Sequence, residues 1–239
     1  MKKSFVKLLS ISALALSLVN ASGLSGVSVL AHGQEESGHN HDHNHEHDHH
    51  NHNHDENEES SGLTIINKED VEDRALSDWE GEWQSVYPYL QDGTLDSVMA
   101  QKAKEDSTMT AEEYKDYYET GYQTDVDHID IDGESGTITF IKEESEATGE
   151  YEYERSEHLV YESGSMGVRY LFTKVGGDEE APTTIQCSDH EYTPTKVGHY
   201  HIYFSNDSHD ELLKEMDHWP TYYPASMIAE DIEHEMLHH

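Results

Sequence analysis

The sequence predicts a mainly β fold, an antiparallel barrel or sandwich with flanking α-helices. Three observations lead there. Seven short runs between residues 126 and 204 alternate apolar and polar side chains with a period of two. Turn residues separate several of these runs, at Asp132-Gly133, Gly164-Ser165 and Gly176-Gly177-Asp178. Stretches with helical spacing fall only before and after this block.

Taken in chain order, residues 68–78 read as a short helix, and residues 83–89 can supply one strand ahead of the main block. Residues 94–104 form a second helix, with Leu95, Val98, Met99 and Ala103 near one face. Thr110-Ala111-Glu112-Glu113 has the spacing of a capping box. The Thr hydroxyl accepts from the amide three residues on, and the Glu carboxylate reaches back to the Thr amide. It opens a third helix that ends at Gly121. The strands follow at 126–131, 137–142, 149–154, 158–162, 168–173, 183–187 and 199–204. Helices at 210–216 and 227–237 close the chain, the last capped by Ser226.

Two segments precede this domain, which spans residues 62–239. Residues 1–31 read as a secretory signal peptide, with Lys2, Lys3 and Lys7 ahead of an apolar run and small residues before a cut after Ala31. Ser and Asn interrupt the run, so a membrane anchor fits it poorly. The protein is therefore expected outside the cytoplasm: extracellular, cell-surface or periplasmic. Residues 32–61 contain almost nothing apolar and cannot bury enough surface to offset chain entropy, so a disordered linker is expected. Within it stand His39, His41, His43, His45, His47, His49, His50, His52 and His54, interleaved with Asn, Asp and Glu. Many imidazoles on a flexible chain hold metal ions loosely and exchange them quickly, because no geometry exists before binding. Such capture fails below about pH 6.5, where imidazole protonates.

Charge narrows the function classes. The chain carries 14 basic and 51 acidic residues, a formal charge of −37. Loss of residues 1–31 removes three lysines and no acid, which takes the balance to −40. Such a chain repels nucleic acid and anionic membrane surfaces and attracts cations. A monomer with no membrane insertion after signal cleavage is expected. Cys187 is the only cysteine, so neither an internal disulfide nor a thiolate-rich metal site can form. It reads as a small buried residue. Any metal must be held by His, Asp or Glu, a set that suits Zn(II).

The stretch that carries chemistry is Ser188-Asp189-His190 followed by Gly198-His199-Tyr200-His201. Two histidines two apart on a strand point to one face. His190 is placed on the preceding strand, and the connection through Pro194 and Gly198 folds back as a hairpin. In the right register, His190, His199 and His201 then offer three neutral nitrogens to one ion, with a fourth position left open. A lone H-x-H is common on solvent-facing strands. The third histidine, the export signal and the His-rich tract together favour the metal reading. Three histidines and a water also describe a catalytic zinc, so a zinc hydrolase or hydratase is one alternative, and a barrel that carries a small ligand is another. No G-x-S-x-G, H-E-x-x-H, phosphate-cradling loop or paired-Cys pattern is present. The protein is not expected to be an enzyme.

Longer blocks make the pattern specific. Leu76-Ser77-Asp78-Trp79-Glu80-Gly81-Glu82-Trp83-Gln84-Ser85-Val86-Tyr87-Pro88, Lys115-Asp116-Tyr117-Tyr118 with Gly121-Tyr122, and Gly167-Val168-Arg169-Tyr170-Leu171-Phe172 recur in order. Ser188-Asp189-His190, His199-Tyr200-His201, Asn206-Asp207-Ser208 and Trp219-Pro220-Thr221-Tyr222-Tyr223-Pro224 follow them. From about Arg74 to the C-terminus, the chain resembles the ZinT (YodA) family. That resemblance implies a lipocalin-like (calycin) barrel with added helices. It also implies Zn(II) and Cd(II) binding by three histidines at the barrel mouth, which carry over to His190, His199 and His201. The partner it implies is the solute-binding protein of a zinc ABC importer. A disulfide found in some members would fall near Gly149 and Thr173, and this chain cannot make it.

Overall fold

The computed structural model describes residues 65–161 and 164–238. The expected signal peptide, the linker and all nine tract histidines lie outside the described residues. Eight strands form the domain: β1 (Gly81–Ser85), β2 (His128–Asp132), β3 (Thr137–Ile141), β4 (Glu146–Val160), β5 (Met166–Gly177), β6 (Thr184–Ser188), β7 (Tyr200–Ser205) and β8 (Thr221–Pro224). Each pairs antiparallel with the next, and β8 returns to β1 through Trp83↔Pro224, Gln84↔Tyr223 and Ser85↔Tyr222. The sheet is thus a closed up-and-down barrel rather than a sandwich, and closure leaves no open edge.

Five helices accompany it: α1 (Tyr87–Gln91), α2 (Asp96–Glu105), α3 (Ala111–Tyr122), α4 (His209–Leu212) and α5 (Ala229–His238). The expected capping box opens α3. The Thr110 side chain accepts from the Glu113 amide, and the Glu113 carboxylate accepts from the Thr110 amide at 2.8 Å. Other expectations shift. The helix expected at 68–78 is two short 3₁₀ turns, Lys68–Asp70 and Leu76–Trp79, separated by extended backbone. That backbone stays extended because the Glu72 amide donates to the Tyr192 carbonyl at 3.0 Å and the Arg74 side chain is buried. The strand expected at 83–89 stops at Ser85, and Pro88 enters the first turn of α1, where a missing N–H costs nothing. The runs at 149–154 and 158–162 merge into β4, because no turn residue separates them. Register shifts at Glu150/Tyr151 and Tyr153/Arg155 bend the strand instead.

Strand alternation sorts side chains to two sides of the wall. Trp83, Ile129, Ile138, Phe172, Ile185, Tyr200, Ile202 and Tyr222 are buried in one cluster inside the barrel. Trp83 and Tyr200 meet there edge to face, with ring centroids 4.8 Å apart. An interior filled by such rings counts against the small-ligand carrier. A second cluster covers the outer wall, where Val86, Leu90, Val98, Met99, Tyr122 and Ile232 pack with Tyr223 of β8. Adjacent Tyr222 and Tyr223 therefore belong to opposite faces.

Cys187 is fully buried inside the barrel beside Ile185, and burial pushes its thiol well above the ordinary cysteine range. It is a packing residue, as its sequence context suggests. The positions matched to the absent disulfide are not neighbours in this barrel: Gly149 lies opposite Gly177, and Thr173 opposite Glu152.

Candidate metal centre

The hairpin expected from the sequence forms. β6 and β7 pair from Thr184↔Ser205 to Ser188↔His201. The same register carried two residues further sets position 190 opposite 199. Only His201 lies on a strand, however. His190 follows β6 by two residues, and His199 immediately precedes β7. The ladder ends at Ser188 and His201, and residues 189–199 form the connection.

His201 alternates with Tyr200 and Ile202, which are barrel-interior residues. Its side chain therefore stands on the outer side of the wall, near the end of the hairpin, and not inside the barrel mouth. The three rings gather there. Ring centroids lie 5.6 Å apart for His190 and His199, 6.4 Å for His190 and His201, and 6.2 Å for His199 and His201. Around one tetrahedral Zn(II), bonds of about 2.0–2.1 Å would put imidazole centres roughly 5 Å apart. Among the described residues, no three His, Cys, Asp or Glu side chains already stand in a closed metal-holding arrangement. The present trio is about one ångström wider than such a set.

Each ring has its own support. Thr221 donates its only hydroxyl proton to the Trp219 carbonyl at 3.0 Å. Its oxygen must then accept from Nδ1–H of His201 at 2.7 Å. In the neutral ring this leaves the lone pair on Nε2, the arrangement by which neighbouring groups orient metal-binding imidazoles. Trp219 is held in turn by α3: its amide donates to the Gly121 carbonyl at 2.7 Å. A Cβ at Gly121 would lie 2.4 Å from the Trp219 ring, so only glycine permits this contact. His199 stacks on Tyr223, with centroids 5.2 Å apart and ring planes 21° apart. Tyr223 is itself buried in the outer cluster. His190 is exposed, and its loop is tied to the chain near Arg74.

The chemistry of the donor set fits a borderline cation: three imidazoles and no thiolate. A groove of about 430 Å³ lies elsewhere, lined by Gln84, Pro88, Tyr89, His128 and Lys142 among others, and none of the three histidines lines it. Catalytic sites favour enclosed clefts. Imidazoles on an outer wall suit uptake and release of an ion. The sequence singles out the three histidines as candidates, gives no separate signal for Thr221 or Arg74, and marks Trp219 and Tyr223 only as packing aromatics. The Trp219–Pro224 block was visible as a run of aromatic residues, but nothing local said that it forms a strand against β7.

The architecture is that of the lipocalin-like barrels, here with three histidines grouped at the end of one hairpin. The chain belongs to the ZinT (YodA) periplasmic lipocalin-like zinc-recruitment family, whose model matches residues 56–239. Zinc recruitment, not catalysis, characterises that family. The chain is 53% identical over 169 residues to the probable metal-binding protein YrpE of Bacillus subtilis, covering 71% of this chain and 66% of YrpE. It is 48% identical over 172 residues to the zinc-binding protein AdcA of Streptococcus pyogenes, covering 72% of this chain and 33% of AdcA. The chain thus spans about two thirds of one relative and one third of the other. The crystal structure of the Zn(II)-bound ZinT-like domain of Streptococcus pneumoniae AdcA superposes with a TM-score of 0.69 at 44% identity, covering 72% of this chain and 94% of that domain.

Proposed function

We propose that this protein is an exported zinc-binding protein that takes up Zn(II), and also Cd(II), on His190, His199 and His201 and supplies zinc to the solute-binding protein of a zinc ABC importer. The observation that carries this reading is the convergence of the three rings, with centroids 5.6–6.4 Å apart, at the end of one hairpin. The His201–Thr221 hydrogen bond supports it by pre-setting one ligand. Three protein ligands leave a coordination position for an incoming ligand, so the ion can be passed on without first being released to water. In AdcA a ZinT-like domain is one part of a longer zinc-binding protein. That arrangement supports transfer between this kind of domain and a second zinc-binding unit. Export is supported by the family's periplasmic description and by the basic, then apolar, start of the sequence.

The tract of His39 to His54 is assigned the capture step. It raises the number of ions held near the domain, and the wall site keeps one more firmly. Native mass spectrometry of the mature chain with and without residues 32–61 separates the two. Without the tract, one zinc should survive mild chelator competition. With it, several further ions should bind and exchange readily. The tract-deleted His190→Ala/His199→Ala/His201→Ala variant should retain none. A tightly held zinc in that triple variant would overturn the assignment of the site.

A further inference from the structure

His190 is the one ring of the trio that is exposed and lies beyond the β-ladder, so something other than strand pairing must place it. The structure assigns that task to Arg74, which we propose is the positioning residue for His190. Arg74 is fully buried, and its guanidinium lies over Trp79, 4.2 Å from the ring centroid. Nη1 donates to both carboxylate oxygens of Asp189, at 2.8 and 3.0 Å, and to the Glu191 carbonyl at 3.1 Å. The residues on either side of His190 are therefore gripped by the same nitrogen. Nη2 donates to the Thr195 carbonyl at 2.9 Å, and Nε to Asp78 Oδ2 at 2.8 Å.

Asp78 completes the clamp. The same Oδ2 accepts from the Thr195 amide at 3.1 Å, and the Asp78 carbonyl accepts from the Val197 amide at 3.0 Å. The Arg74 guanidinium and the Asp78 carboxylate thus hold the loop at positions 189, 191 and 195, and the Asp78 carbonyl holds it at 197. The chain segment around Arg74 is 115 positions from Asp189 in sequence. A flexible loop would have to be ordered each time zinc binds, and that entropy would be subtracted from affinity. The clamp orders it beforehand. Lysine cannot replace the guanidinium, because a single ammonium cannot spread donors over four acceptors in fixed directions or lie flat on Trp79.

This inference rests on the reading of His190 as a zinc ligand, and the test keeps the two apart. The full mature chain is loaded with zinc, and the affinity of the most firmly held ion is measured by chelator competition in Arg74→Lys, His190→Ala, His201→Ala and the two double variants. Arg74→Lys should weaken that ion by about tenfold or more, the size expected when support for a metal ligand is lost. In the His190→Ala background, the same substitution should change affinity by less than about twofold, whereas in the His201→Ala background its effect should persist. Equal weakening in both backgrounds would mean a general structural role and would overturn the proposal. So would an unchanged affinity in Arg74→Lys while His190→Ala is weakened. If His190→Ala alone has no effect, it is the ligand assignment that fails. Should Arg74→Lys not fold, Asp189→Asn, which keeps the packing and weakens only the charged grip, should show the same dependence on His190. Its failure to do so counts against the clamp.

Discussion

Alanine at His201 is expected to raise the zinc Kd of the wall site by at least about a hundredfold. Structural zinc sites bind with roughly 10–16 kcal/mol spread over four ligands, so one ligand accounts for about 3 kcal/mol, on the order of a hundredfold. His199→Ala should act similarly, with an added loss of the Tyr223 stack. His190→Ala should weaken zinc while leaving the metal-free fold unchanged, because that residue is exposed and outside the ladder. Thr221→Val keeps the shape but removes the acceptor for His201 Nδ1–H and the donor to the Trp219 carbonyl. It should cost about 10–100-fold in affinity without touching a ligand. These differences can be read as zinc-dependent melting. A tightly bound ion raises Tm in proportion to the logarithm of its concentration over Kd, so the native chain should gain several degrees and His201→Ala almost none. An equal zinc-induced gain in His201→Ala would remove that residue from the site.

The second large effect concerns the fold. Trp79 is fully buried, and its ring packs against Tyr170 at 5.5 Å and edge-on to Phe172 at 5.8 Å between centroids. Its carbonyl accepts from the Trp83 indole at 2.8 Å, and its face carries the Arg74 guanidinium. Trp79→Ala should cost about 3–5 kcal/mol, the usual range for a large buried aromatic. For a domain of this size that lowers Tm by roughly 10 °C. Val175 on β5 is 56% exposed, and Val175→Ala should stay within about 0.5 kcal/mol of the native chain. Denaturant unfolding followed by tryptophan fluorescence and by far-UV circular dichroism checks both. A Trp79→Ala protein as stable as Val175→Ala would mean that the aromatic cluster does not hold this end of the barrel.

Much of this was legible in the sequence, and the parts that were not share a cause. Alternation is a local signal, so β2, β3, β5, β6 and β7 could be read nearly in place. Capping chemistry is local too, and it located the start of α3 at Thr110. The candidate trio His190, His199 and His201 could be picked out because one hairpin supplies it. β8 escaped notice because Pro220 and Pro224 bracket it, and proline ordinarily argues against an inner strand. Here it does no harm: the Pro220 carbonyl accepts from the Ile202 amide at 3.0 Å, and Pro224 ends the strand. Arg74 was hidden for a different reason. In a stretch rich in charges it looks like a solvated helix residue, and its loop partners Asp189, Glu191 and Thr195 are more than a hundred positions away. The side of the wall on which His201 stands was likewise invisible until closure of the barrel defined an inside.

The most direct test is crystallographic. Crystals of the mature chain loaded with one equivalent of zinc, measured on both sides of the zinc absorption edge, should show one strong anomalous peak at about 2.0–2.1 Å from a nitrogen of each of His190, His199 and His201. A peak elsewhere on the chain, or one bonded to fewer than two of these rings, would contradict the assignment of zinc binding to this hairpin.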